Sequence, residues 1–223
     1  MVNASLFFAH ILIVLGFLFL ALRNGKGAMQ TFIALQAVFA NLFVVKQMSL
    51  FGFSVTCSDV YAIGGILGMN VLQEYWGKEE ARRSIWISFC SLVCFVVMTQ
   101  VHLGYIPIAG EGTHQAFSVI LSSMPRIATS SIVVYFLVQQ FDVRFFGWLQ
   151  RLWSGKVFSL RLAISLAITQ LLDTVLFSFF GLYGLVDSIW DVIVLSWLVK
   201  CSIIAVSSPL AALSKRWLKD API

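Results

Sequence analysis

Three charged side chains stand in the middle of long apolar stretches: Arg126, Asp173 and Lys200. Each stretch is about long enough to cross a bilayer, so all three charges are predicted to lie near the membrane midplane. A lone charge at that depth costs about 3 kcal/mol even on the most lenient insertion scale. Such charges are therefore expected to pair with one another or to face water.

Two arrangements fit these three charges. In the first, Arg126 or Lys200 neutralises Asp173 and the group is an ion-pair cluster that joins helices without touching a ligand. In the second, the group lines a central cavity, where two cations and one anion leave a spare charge. A cavity that must be rebalanced by a solute, a proton or water suits a transport site.

A second pattern places carboxylates beside carboxamides. Asn70 and Glu74 are four residues apart, and Gln170 and Asp173 are three apart, so each pair shares one face of a helix. Two such helices together offer hydrogen-bond donors and acceptors suited to the edge of a planar heterocycle. The carboxylates would also attract a cationic amine.

The composition indicates the class of protein that holds these residues. Of 223 residues, 60% are apolar and 11% are charged, which is typical of a polytopic membrane protein. We predict one membrane domain over residues 1–223. The net charge of +5 does not indicate nucleic-acid binding, because the basic residues lie between apolar runs and act as orientation signals.

Seven apolar runs are each about long enough for a hydrocarbon core of roughly 30 Å. They cover residues 5–22, 28–45, 58–76, 84–106, 115–140, 162–184 and 188–213. The predicted fold class is therefore an all-α bundle of seven transmembrane helices. The alternative is six full spans with a re-entrant segment at 58–76.

The distribution of basic residues favours seven spans. If the segment 58–76 spans, the loops that fall on one side hold Arg23, Lys26, Lys78, Arg82, Arg83, Arg144, Arg151, Lys156, Arg161, Lys215, Arg216 and Lys219. The opposite loops, at 49–57, 107–114 and 185–187, contain no Lys or Arg. The positive-inside rule then predicts an external N-terminus and a cytoplasmic C-terminus. Asp142, at the inner end of the fifth span, is expected to be a helix cap or loop anchor.

The sequence carries no enzyme signature. No nucleophile with a partnered base, no HExxH motif and no phosphate-binding glycine loop is present. The four cysteines have no His or carboxylate at ligand spacing, so we expect neither a metal nor a cofactor. An intramembrane enzyme or assembly factor that uses the midplane charges on a lipid remains the alternative from another class. Gly64 and Gly68 are expected to pack within the bundle rather than between protomers.

Three ordered motifs resemble the queuosine precursor transporters, once grouped as vitamin uptake transporters. They are AIGGILGMNVLQEYWGKEEARRS at 62–84, RIATSSIVVYFLVQQFDVRFF at 126–146 and QLLDTVLFSFF at 170–180. Lys200 and Pro209 match the last helix of that family. The resemblance covers most of the chain beyond about residue 50, and three motifs in order are far more specific than one.

The resemblance implies import of 7-deazaguanine bases, such as preQ0, preQ1 or queuine, across a bacterial inner membrane. The polar positions of the family fall on Asn70, Glu74, Arg126, Gln139, Gln170, Asp173 and Lys200. Asp173 or Glu74 is expected to accept from the guanine-like edge of the base, and Arg126 to orient the pocket. Some relatives have Asp in place of Asn70 and Asn in place of Gln170, so the preferred base is expected to vary within the class.

Energy coupling and assembly stay open at this stage. No nucleotide motif is present, so the chain could be a facilitator, a proton-coupled carrier, or a substrate-binding membrane subunit that needs a separate ATPase module. The sequence does not decide whether the chain forms a homo-oligomer.

Overall fold

The computed structural model of the chain describes residues 2–44, 46–50, 53–56, 58–108, 112–121, 125–153, 158–183 and 189–212. Within these ranges the protein is helical apart from one short β-hairpin. The helices are α1 Val2–Arg23, α2 Lys26–Phe43, α3 Asp59–Trp76, α4 Lys78–Leu103, α5 Thr113–Leu121, α6 Pro125–Leu152, α7 Phe158–Phe177 and α8 Ile189–Ala212. A π-helical turn, Ser178–Leu182, continues α7.

The predicted class of a helical membrane protein is confirmed. Six of the seven apolar runs each form one helix, with ends that differ from the expected ones by a few residues. Among the described residues, four helices are long and apolar enough to cross a membrane: Val2–Arg23, Lys78–Leu103, Thr129–Leu152 and Phe158–Gly181. The doubtful run at 58–76 is one continuous helix, α3.

The expected fifth span, 115–140, is wrong as a single helix. The segment contains two helices, α5 and α6, separated by residues 122–124, which lie outside the described residues. Pro125 is the first residue of α6. Proline has no backbone N–H and clashes with the preceding turn of a helix, so it is favoured in the first turn, where neither effect matters.

A short antiparallel hairpin replaces the loop that was expected after α2. Strand β1, Gln47–Leu50, pairs with strand β2, Phe53–Thr56, so that Gln47 lies opposite Thr56 and Leu50 opposite Phe53. The hairpin is tied to α1 at its start, because the Asn3 amide donates to the Ser49 carbonyl over 2.9 Å.

Helix α3 lies at the centre of the bundle, where it contacts α1, α2, α4, α6, α7 and α8. Its glycines allow this close packing. A Cβ on Gly64 would stand 2.7 Å from Val14 Cγ1 of α1, and a Cβ on Gly68 would stand 3.1 Å from side-chain atoms of Phe32 and Ile33 of α2. The expectation that Gly64 and Gly68 pack inside the bundle is confirmed. Central placement of α3 brings its polar residues against α6 and α7.

Candidate functional site

A stripe of polar residues runs along one face of α7. Arg161, Ser165, Thr169 and Asp173 follow one another at a spacing of four residues, which places them on the same side of the helix. The stripe is roughly 18 Å long at 1.5 Å of rise per residue. Residues of α3, α6 and α8 meet it at three levels, which we call the Glu74, Asp142 and Asp173 layers.

The Glu74 layer joins the end of α3 to the start of α7. The Arg161 guanidinium donates to Glu74 Oε1 over 2.8 Å, and the Gln150 amide donates to Glu74 Oε2 over 2.8 Å. Gln73 lies beside them and donates its amide to the Val143 carbonyl over 3.2 Å. Both oxygens of the Glu74 carboxylate are therefore held, and its charge is neutralised by a buried arginine.

The Asp142 layer lies between the two charged layers and joins α6 to α7. The Asp142 carboxylate is 0% exposed, and its Oδ1 atom accepts hydrogen bonds from the hydroxyls of Ser165 and Thr169, at 2.8 and 2.9 Å. Asn70 of α3 faces the same carboxylate. No Lys or Arg of the described ranges forms an ion pair with Asp142.

Three carboxamides on the helices that form this layer are buried: Asn70 of α3, Gln139 of α6 and Gln170 of α7. The side-chain nitrogen and oxygen of Gln170, and the oxygens of Asn70 and Gln139, have no hydrogen-bond partner among the described residues. Buried polar groups are normally paired, because an unpaired one costs about 1–3 kcal/mol. A set of unpaired amides around one carboxylate is typical of a site that receives a ligand or water.

The Asp173 layer joins α7 to α8 at the other end of the stripe. The Lys200 ammonium donates to Asp173 Oδ2 over 2.8 Å and to the Thr174 hydroxyl over 3.1 Å. Asp59, in the first turn of α3, is buried within electrostatic range of Lys200 and Asp173. Since Asp59 and Glu74 lie at opposite ends of α3, this helix runs antiparallel to α7.

Of the seven residues chosen from the sequence, the six whose side chains are described lie in three layers rather than in one cluster. Asn70, Gln139 and Gln170 are buried in or beside the Asp142 layer, whereas Glu74 lies in one terminal layer and Asp173 with Lys200 in the other. The expected neutralisation of Asp173 by Lys200 is confirmed by their ion pair. The role of these residues in binding a substrate stays a prediction.

Arg126 lies at the start of a helix, and its expected depth near the membrane midplane stays a prediction. Because α6 begins at Pro125, Arg126 is the second residue of that helix. Its side chain lies outside the described residues, so its expected roles in the ion-pair cluster and in orienting the pocket stay predictions.

Asp142 and Arg161 were given other roles by the sequence reasoning. Asp142 was expected to be a cap at the end of a helix, but α6 continues to Leu152, so Asp142 is interior and fully buried. Arg161 was assigned to a cytoplasmic loop, but α7 begins at Phe158 and Arg161 is buried against Glu74. The spacing of four residues from Arg161 to Asp173 was the available signal.

Comparison with known proteins was made for the whole chain. A family model described as "Putative vitamin uptake transporter" matches residues 60–214, which includes all three layers. The chain belongs to this family. It is also 30% identical to the "Probable queuosine precursor transporter" of Bacillus subtilis (strain 168), over 96% of this chain and 95% of that protein. No solved structure shows significant similarity to the chain.

Membership of this vitamin uptake transporter family confirms the resemblance on which the sequence reasoning relied. Together with the long apolar helices, it makes this chain a multi-pass protein of the bacterial inner membrane. The polar stripe between α3, α6 and α7 is thus the candidate site of a membrane transporter.

Proposed function

We propose that this chain imports queuosine precursors or the free base, that is, 7-deazaguanine bases such as preQ0, preQ1 or queuine. The name of the Bacillus subtilis relative supports this substrate class. The observation that carries the proposal is the set of unpaired buried carboxamides in the Asp142 layer. No chemical step is required of the chain, and we propose that it is not an enzyme.

The donors and acceptors of the Asp142 layer match those of a 7-deazaguanine. The base presents an N1–H and a 2-amino group as donors and a carbonyl O6 as an acceptor. Asn70 and Gln170 each bring a donor and an acceptor in one side chain, so they can satisfy either kind of group. In a bundle whose other contacts are mainly apolar, a bound polar base would supply the hydrogen-bond partners that these amides lack.

The two ion pairs close the ends of this layer. Asn70, Asp142 and Gln170 are fully buried, so a solute reaches them only when helices move apart. Passage along the stripe requires the Glu74–Arg161 pair to open at one end and the Asp173–Lys200 pair at the other. The sequence predicts that Glu74 or Asp173 contacts the base directly. We propose that this contact forms while the ion pair of that residue is open.

The transmembrane topology that we propose has seven spans. The described part of the chain contains seven helices of 18 residues or more, α1, α2, α3, α4, α6, α7 and α8. An 18-residue helix is about 27 Å long, whereas the nine residues of α5 are too short to span. With the basic loops inside, the N-terminus is external and the C-terminus cytoplasmic.

The proposed partners are a small 7-deazaguanine base and membrane lipid. A separate ATPase module would supply energy coupling, and a second copy of the chain would form a homo-oligomer. The substrate site would be the same in either case. The alternative function, an intramembrane enzyme or assembly factor that acts on a lipid, predicts that the chain has no affinity for the base.

Binding of radiolabelled 7-deazaguanine to the purified chain in detergent tests the proposal. We expect saturable binding that Asn70→Leu or Gln170→Leu weakens roughly 10-fold. Each variant removes an amide, so the bound base would bury a donor or acceptor without a hydrogen-bond partner. Gln36→Leu is the matched control, since Gln36 is also a buried carboxamide with an unpaired oxygen but lies on α2, outside the stripe. A wild-type chain that is folded and does not bind the base contradicts the proposal.

A further inference from the structure

The Asp142 carboxylate is buried in an unusual way. Its Oδ1 atom accepts from two hydroxyls, whereas its Oδ2 atom has no hydrogen-bond partner among the described residues. The side chain is fully buried and forms no ion pair within those ranges. Burial of a carboxylate without a cation is costly unless further donors compensate it. The Asn70 amide faces the carboxylate, so the second oxygen has a described donor close by and can accept another donor from a ligand.

Glu74 and Asp173, the carboxylates of the two terminal layers, differ from Asp142 because each is paired with a cation. Glu74 has Arg161 and Gln150 as donors on its two oxygens, and Asp173 is paired with Lys200. A ligand that bound either carboxylate would have to displace a cation or share it. Asp142 has an acceptor oxygen available without such displacement.

The neighbours of Asp142 indicate what kind of donor is missing. Asn70 faces the carboxylate from α3, and Gln139 lies three residues before it on the same face of α6. Gln170 follows Thr169, which holds the carboxylate from α7. Asn70 brings a donor and an acceptor next to a single negative charge, and Gln139 and Gln170 lie near it along α6 and α7. The arrangement suits a flat, neutral ligand with adjacent N–H donors on one edge and an acceptor beside them.

We infer that Asp142 is the residue that recognises the guanine-type edge of the substrate, accepting from the 2-amino group at its Oδ2 atom. Ser165 and Thr169 are positioning residues that hold its Oδ1 atom. This inference rests on the proposed function, and it assigns recognition to a residue other than Glu74 and Asp173. A carboxylate oxygen that accepts from the 2-amino group distinguishes a 2-amino base from one that lacks this group.

The experiment compares two ligands on purified wild-type chain and on Asp142→Asn. The ligands are 7-deazaguanine and 7-deazahypoxanthine, which lacks only the 2-amino group. We expect wild type to prefer 7-deazaguanine by roughly 10- to 100-fold, the value of hydrogen bonds to a charged group. Asp142→Asn is expected to reduce this preference to about 3-fold or less on the same scale. Asp173→Asn is the matched control and is expected to keep the preference, whatever it does to affinity.

The outcomes separate this inference from the proposed function. Wild type that binds neither base contradicts the proposed function itself. Wild type that binds both bases equally, or Asp142→Asn that keeps the full preference, contradicts only the inference. If Asp142→Asn does not yield folded protein, Thr169→Val is compared with wild type in its place. This variant removes one hydrogen-bond donor to the carboxylate and leaves the negative charge in place. An unchanged ratio between the two ligands in Thr169→Val then overturns the assignment.

Discussion

Glu74 and Arg161, which are 87 residues apart in the chain, form a buried ion pair at 2.8 Å that fastens the end of α3 to the start of α7. Their side chains are 11% and 4% exposed. The pair closes one end of the polar stripe, and Asp173 with Lys200 closes the other end.

Removal of one partner from the Glu74–Arg161 pair is expected to destabilise the protein strongly. Arg161→Met leaves the Glu74 carboxylate buried without its cation, at a cost of about 3–5 kcal/mol. The double variant Glu74→Gln with Arg161→Met is expected to recover most of this loss, because no uncompensated charge remains. Thermal denaturation of the purified chain in detergent measures both effects.

The Lys26–Glu80 pair provides the control for that series. It also joins two helices, α2 and α4, but its side chains are 46% and 23% exposed. Lys26→Met is expected to cost about 0–1 kcal/mol, as for other exposed pairs. Equal losses in Lys26→Met and Arg161→Met would contradict the account of Glu74 and Arg161 as a buried pair.

Neutralisation of the two acidic residues at the ends of the stripe is expected to reduce uptake. Glu74→Gln and Asp173→Asn each leave a buried cation, Arg161 or Lys200, without its anion and disturb the closure of one end. We expect at least a 10-fold loss of 7-deazaguanine uptake by cells, corrected for the amount of protein in the membrane. Uptake at the wild-type rate with normal expression in both variants would remove Glu74 and Asp173 from the mechanism.

Glycine packing around α3 gives a stability prediction. Gly64→Ala places a Cβ 2.7 Å from Val14 Cγ1 and 3.1 Å from Gln36 Oε1, so we expect a loss of about 1–3 kcal/mol through overpacking. Gly16→Ala is the control, because its Cβ would have no neighbour within 4 Å and alanine favours a helix by about 1 kcal/mol. The melting temperature is expected to fall in the first variant and to stay level or rise in the second. The reverse order would contradict the packing of α3 against α1.

The proposed topology predicts which ends of the helices face outwards. In a variant with its native cysteines replaced, a single cysteine at Asn3 or Tyr105 is expected to react with a membrane-impermeant thiol reagent in intact cells. A single cysteine at Glu79 is expected to react only after the membrane is opened. Residues Tyr105 and Glu79 are both exposed in the described structure, so burial does not explain a difference between them. Labelling of all three in intact cells would rule out the seven-span topology.

Hydropathy and glycine spacing predicted much of this fold from the sequence. Six of seven helices, the packing of Gly64 and Gly68, and the pairing of Asp173 with Lys200 follow from local rules about apolar length, small residues and buried charge. The presence of two helices in the fifth apolar run was also predictable from the sequence, because Pro125 marks the start of a helix. Treating 115–140 as one helix hid this signal.

The placement of Asp142 and Arg161 depended on that error and on tertiary contacts. When the fifth span was taken to end at Gln140, Asp142 fell at a helix terminus, whereas α6 extends to Leu152 and carries it into the bundle. Arg161 was counted among the basic residues of a cytoplasmic loop, since charge counting does not show which arginine turns inwards to a carboxylate. Glu74 selects Arg161 through packing of α3 on α7, which no local pattern encodes.

Transport by the purified chain in liposomes tests the central claim most directly. The account predicts that vesicles containing the chain take up radiolabelled 7-deazaguanine, and that Asn70→Leu and Asp142→Asn lower the rate whereas Gln36→Leu does not. Binding without uptake would indicate a chain that needs a separate ATPase module. Comparison with and without an imposed proton gradient distinguishes a facilitator from a proton-coupled carrier. Folded wild-type chain that binds no base and moves none into the vesicles would contradict the claim that the stripe on α7 is a base-transport site.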